Sequence, residues 1–291
     1  MAYPNAIDWD IVNAWSSRLW KKLTGIDESF LMTAGTTSML DLIIRGGCTV
    51  FCVSPCYDGA LRIFRDNIGE KNVWLADSIH DMLCMIGEDA IIPDYIYLNT
   101  NFRNPDGYSI PEEEMHEIVA CAKIYDIIII EDDPYFFLNE HKTKLSFLEI
   151  YDETIYLNSF SKALGSPGVR FGCFATRNDQ IRKEIWNKMM TRFMYSNPFV
   201  IQEAVAMTEI EEMDIILDKI RSHVKIRQNL FGFQGFYLWR RKDEAYERLM
   251  AEGYKVKEGE AFGVPGYYRV SMAHVPIDSP QFALLLDLYR I

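Results

Sequence analysis

What most constrains the fold is a series of short, almost continuously apolar runs through the middle of the chain. They lie at residues 49–53, 73–75, 95–98, 127–130, 155–157 and 171–174. Runs of this length without polar alternation suit strands covered on both faces. Helical patterns lie between them. The clearest places Met115, Ile118, Val119 and Ala122 on one face, after what reads as a capping box of Ser109 and Glu112. Strand, helix and strand in this order predict a right-handed βαβ unit and a mostly parallel mixed sheet flanked by helices, an α/β fold. Ligands of such sheets sit beyond the carboxyl ends of the strands, so the residues just after each run are where chemistry is expected.

The last third reads differently. Residues 209–227 form a long polar helical pattern, residues 235–239, 254–256 and 267–271 read as short strands, and residues 281–289 as a closing helix. This predicts a large α/β domain over residues 28–195 and a small, reduced α+β domain from residues 1–27 and 196–291. No run of eighteen apolar residues suggests a membrane span, and the opening MAYPNAIDWD lacks the basic and apolar parts of a secretion signal, so a cytoplasmic location is expected. The six scattered cysteines fit that compartment as reduced thiols. Cys48, Cys52 and Cys56, four residues apart, read as buried small hydrophobes; metal ligands would form tighter pairs with histidines nearby. A net charge of −12 disfavours nucleic-acid partners, though it leaves room for a local cationic pocket.

The segment from Ser159 to Gly172 carries the most chemistry. It follows a predicted strand and holds Ser159, Ser161, Lys162 and Arg170, with Gly165, Pro167 and Gly168 between them. A lysine that forms a Schiff base must be partly desolvated so that its amine can be neutral. A phosphate anchor wants hydroxyls, backbone N–H groups and a guanidinium fork. This string supplies all of these, and it resembles the lysine signature of fold-type I pyridoxal-phosphate (PLP) enzymes, specifically the class I/II aminotransferases.

Further segments resemble that family in chain order. Gly35, Thr36 and Thr37 open a helical stretch and match its phosphate-binding turn. Tyr57, in Ser54-Pro55-Cys56-Tyr57, matches the aromatic residue that stacks on the pyridine ring. Asn104, in Asn104-Pro105-Asp106-Gly107, matches an asparagine that bonds the cofactor's phenolic oxygen at the substrate side, with Asp106 where the family has threonine. Asp132 and Tyr135, in Glu131-Asp132-Asp133-Pro134-Tyr135, match the partners of the pyridine nitrogen and of the phenolic oxygen. Arg269, in Tyr267-Tyr268-Arg269-Val270-Ser271, matches the arginine that grips the substrate carboxylate. Residues 235–239 and 258–262 resemble small-domain elements. The carboxylate triplet also admits a metal reading, although no histidine lies near it, and Arg103 is open between a solvated charge and a substrate contact.

The resemblance implies a ping-pong aminotransferase moving an amino group between an amino acid and a 2-oxo acid. Lys162 would carry PLP, and Lys162, Asp132 and Tyr135 would form the catalytic core. It also implies a homodimer with a shared site. A β- or γ-lyase, decarboxylase or racemase on the same cofactor is the alternative, and a non-enzymatic derivative of the fold is a further one. The chain is short for this family, at its two ends and within the small domain, and Tyr3 only weakly matches the family's N-terminal tyrosine.

Overall fold

The computed structural model describes residues 8–87, 91–139, 145–163, 168, 170–192, 201, 212–272 and 275–289. The apolar runs become strands of one seven-stranded sheet: β1 (Leu31–Thr33), β2 (Val50–Val53), β3 (Val73–Ala76), β4 (Tyr95–Asn99), β5 (Ile128–Asp132), β6 (Thr154–Ser159) and β7 (Gly172–Ala175). Their spatial order is β1-β7-β6-β5-β4-β2-β3. Strands β2 to β6 pair in parallel, while β7 runs antiparallel to both β6 and β1. Two reversals restore the direction, so β1 points the same way as β6. The carboxyl ends of β1, β2, β4, β5 and β6 therefore all face one edge, and every residue of β2, β6 and β7 is buried.

Helices cover both faces. Thr36–Ile43, Asp58–Ile68 and Asp179–Thr191 enclose one core with Leu40, Phe64 and Leu157; Ile79–Met85 and Glu112–Tyr125 enclose another with Phe51, Ile96 and Ile129. The helix Glu112–Tyr125 starts without the expected capping box. Pro111 occupies its N-cap, and the Ser109 hydroxyl instead accepts a hydrogen bond from the Phe102 backbone N–H at 2.9 Å, closing the preceding loop. A capping box does form at Ser146 and Glu149.

The N-terminal helix Trp9–Thr24 lies largely on the sheet side. Trp20 is fully buried and packs 4.7 Å from Phe160 and 6.5 Å from Phe171, ring centre to ring centre. Phe160 and Phe171 stack on each other at 4.9 Å. These two rings bracket the segment that carries Lys162 and Arg170, so its two ends are pinned against one indole. The same apolar cluster reaches Leu217 and Val224 of the long helix Glu212–Phe231.

The last third forms a three-stranded antiparallel sheet in the order β8 (Tyr237–Arg241), β10 (Tyr267–Ser271), β9 (Lys257–Glu258). It closes over Phe231, Leu249, Phe282 and Leu285 with the helix Pro280–Tyr289. The strand expected at 254–256 is displaced to β9, because the Tyr254 N–H is bonded to Leu249 O in the turn that ends the helix Glu244–Ala251.

Candidate active site

At the shared edge of the sheet, the ends of β1, β2, β4, β5 and β6 meet β8 and β10 around an open cavity of about 290 Å³. Thr36, Thr37, Tyr57, Asn104, Asp132, Tyr135, Ser159, Ser161, Lys162, Arg170 and Arg269 line it. Every residue matched to the family's cofactor and substrate contacts is therefore on its wall except Gly35, which stands behind Arg170. A Cβ at Gly35 would come within 2.7 Å of Arg170 Nη2, and the residue adopts a φ of +91° that side chains disfavour. Residues 164–167 and 169 of the lysine segment, Tyr3, Ala273 and the expected boundary near residue 195 lie outside the described residues.

The wall carries several kinds of group. Hydroxyls and a guanidinium come from Thr36 and Thr37 at the start of the helix Thr36–Ile43, Ser159 at the end of β6, Ser161 just after it, and Arg170. A helix N-terminus with hydroxyls and an arginine is an anion cradle. Tyr57, Asn104, Asp132 and Tyr135 also line the cavity. The Tyr57 ring folds over Gly59, where a Cβ would be 2.5 Å from the phenol. Lys162 and Arg269 flank the Tyr237 ring, 5.9 and 4.2 Å from its centre.

Asp132 closes β5 and is 2% exposed. Its Oδ2 accepts a hydrogen bond from Tyr97 Oη at 2.7 Å, while Oδ1 is buried with no hydrogen-bond partner. Burial pushes its carboxyl up to about 7, against the lowering influence of the Tyr97 and Thr36 hydroxyls. Asn99 locks the neighbouring loops together: its amide donates to Asp132 O at 2.6 Å and its oxygen accepts from the Asn104 N–H at 3.0 Å. Asn104 in turn accepts from Arg269 Nη1 at 2.9 Å through its side-chain oxygen, which leaves its NH2 as the group it offers the cavity.

The flanking carboxylates belong elsewhere. Glu131 accepts from Ser146 Oγ at 2.6 Å, and Asp133 accepts from Asn101 Nδ2 at 2.8 Å. Alternate strand positions point to opposite faces, so the triplet does not converge as a metal site would require. Arg103 is held by Asp106 through a two-pronged ion pair, 2.9 Å from Nε and 2.5 Å from Nη2, and lies 5.1 Å over the Tyr108 ring. The substitution that departs from the family's Asn-Pro-Thr-Gly thus neutralises the arginine beside it.

The family model for aminotransferase class I and II matches residues 5–279. The chain belongs to this family. It is 30% identical over 171 residues to the aromatic-amino-acid aminotransferase 1 of Thermococcus litoralis, a match covering 53% of this chain and 40% of that one. It is 30% identical over 154 residues to the mitochondrial kynurenine/alpha-aminoadipate aminotransferase of Bos taurus, covering 47% and 36%. The chain thus spans well under half the length of these relatives. Among solved structures, the kynurenine aminotransferase of Pyrococcus horikoshii superposes with a TM-score of 0.79 at 24% identity, over 95% of this chain and 78% of that one. That likeness establishes the fold-type I architecture, a mixed sheet flanked by helices with a smaller sheet beside it.

Four lining residues were not singled out from the sequence: Asp58, Asn99, Pro134 and Tyr237. Asn99, Asp58 and Pro134 lie at the strand ends and turns already in view, so position alone could have flagged them. Tyr237 carries no such signal, because it begins a strand of the smaller sheet and reaches the cavity only through the tertiary fold.

Proposed function

We propose that this chain is a PLP-dependent aminotransferase moving an amino group between an amino acid and a 2-oxo acid by a ping-pong mechanism. The observation that carries this reading is the convergence of Lys162, Asp132, Tyr135, Arg170 and Arg269, from three separate segments, on one cavity. The cavity fits PLP in its donor set. Arg170, Ser159, Ser161, Thr36 and Thr37 would hold the phosphate, and Asn104 and Tyr135 would serve the phenolic oxygen. The orphan Oδ1 of Asp132 would accept from the ring N–H, an otherwise uncompensated acceptor given a cationic donor. Once bound, PLP supplies an electron sink that makes the Cα–H of an amino acid acidic.

The chain's own residues do the rest. Arg269 binds the substrate carboxylate, oriented by its bond to Asn104 and its stacking on Tyr237. The Lys162 amine takes the proton from the substrate Cα and holds it for return, acting as general base and then general acid. Family membership favours transamination over elimination, decarboxylation or racemisation. The family's sites are built between two subunits, so we assign a homodimer, to be checked by sedimentation equilibrium. No helix among the described residues is long and apolar enough to cross a membrane, and the described cysteines are all free, which fits a cytoplasmic enzyme.

The test is direct. Adding PLP to the purified protein produces a visible absorption band, and Lys162→Ala abolishes it. Adding an amino donor then converts the wild-type spectrum to the pyridoxamine form with release of a 2-oxo acid. Absence of the band in wild type, or its persistence in Lys162→Ala, refutes the assignment. Pyruvate and ammonia from a single substrate would point to a lyase instead.

A further inference from the structure

Tyr237 lies in the cavity beside Arg269, and its contacts there reach further than that one pairing. It is 5% exposed and enters from β8 of the smaller sheet. Its Oη accepts a hydrogen bond from Tyr135 Oη at 3.3 Å, with the two rings edge to face. The Arg269 guanidinium lies over its ring at 4.2 Å, and Lys162 Nζ lies 5.9 Å from the same ring centre. One phenol therefore touches the tyrosine assigned to the cofactor and the arginine assigned to the substrate, and lies beside the lysine assigned to proton transfer.

We propose that Tyr237 is a second positioning residue for this reaction, with two separable parts: a hydroxyl that tunes the charge at the Lys162 nitrogen through Tyr135 and the space between them, and a ring that seats Arg269. The proposal rests on the PLP reading of the site. Burial alone would push the Tyr237 phenol up; the Lys162 ammonium, then the Arg269 guanidinium and the hydrogen bond from Tyr135, outweigh it and bring it down. Coupling between two titrating groups is mutual. The Lys162 nitrogen and the Tyr237 phenol therefore belong to one electrostatic unit, which Tyr135 joins through its hydroxyl. A flat aromatic face under a guanidinium also fixes the direction of its fork, which a free arginine would have to adopt on binding.

The two parts are tested by Tyr237→Phe and Tyr237→Leu in the PLP-loaded enzyme. Tyr237→Phe keeps the ring and nearly the volume. It is expected to keep the visible band and the KM for the amino donor, while the pH at which the band changes form falls by about half a unit or more. Tyr237→Leu also removes the shelf, and is expected to add a rise in KM of about tenfold, the worth of one cation–π contact at a desolvated site. A Tyr237→Phe enzyme whose band titrates with wild type overturns the hydroxyl's role. Equal KM values in Phe and Leu variants overturn the ring's role. Both outcomes presuppose the Lys162-dependent band in wild type; if that is missing, the underlying reading fails first and visibly.

Discussion

Replacing Asp132 by Asn is expected to change the pH dependence of folding in a way that isolates one buried carboxyl. In the cofactor-free protein this group is 2% exposed and pushed by burial from near 3.8 to about 7. The folded chain thus keeps the proton over a range where the unfolded chain has released it, so stability falls as pH rises between roughly 4 and 7. Integrating between pH 5.5 and 8 gives a loss of about 2 kcal/mol from this residue alone. Glu131, also pushed up to about 7 by burial, contributes a similar loss and stays in the variant. Urea unfolding followed by tryptophan fluorescence, at both pH values, should show Asp132→Asn gaining about 2 kcal/mol on wild type on going from pH 5.5 to 8. A difference between the two proteins that stays constant with pH would mean that the carboxylate is solvated or paired. The unpartnered oxygen would then no longer argue for a cationic ligand. The same replacement should weaken PLP binding by about 1.5–3 kcal/mol, because the amide cannot meet the ring N–H with a charge.

Gly35→Ala places a methyl 2.7 Å from Arg170 Nη2 at a φ of +91°, so PLP affinity should drop by at least about tenfold, read by fluorescence titration, with native secondary structure retained. Arg269→Lys keeps the charge but loses the fork that Asn104 orients; kcat/KM for the amino donor should fall by about ten- to a hundredfold while the visible band remains, as steady-state kinetics with a 2-oxo acid acceptor will show.

Much of the large sheet was legible because strands buried on both faces must be apolar throughout. β2 to β7 each fall within two or three residues of the runs that predicted them. β1 was not legible: three residues, Leu31–Thr33, are too few to show a period, and the strand exists because it adds to β7 in the folded sheet. Ser109 misled because a serine three residues before a glutamate meets the sequence rule for a capping box, yet its hydroxyl is spent on the Phe102 N–H. The cavity-lining residues at the ends of β2, β4, β5 and β6 could be read because they are local to strand ends. Tyr237 could not be, since its place in the cavity depends on how the smaller sheet docks.

The three consecutive carboxyls at the end of β5 show why the site's chemistry can be argued from its hydrogen bonds. All three are 5% exposed or less, and burying an ionised carboxyl costs several kcal/mol unless it is paired. Alternation along the strand sends Glu131 and Asp133 to one face, and there the protein provides for them. Glu131 takes the Ser146 hydroxyl and the Leu148 N–H at the start of a short helix, and Asp133 takes the Asn101 amide and, at 3.4 Å, the Tyr156 hydroxyl. Asp132 alone faces the cavity, and the fold equips only one of its oxygens. The fold supplies polar partners to two of these buried acids and leaves Oδ1 of the middle one without a hydrogen-bond partner, on the wall that also carries Lys162 and Arg170. A ligand that brings a hydrogen on a cationic ring nitrogen and carries an anionic group suits that oxygen and the guanidinium and hydroxyls of the same wall.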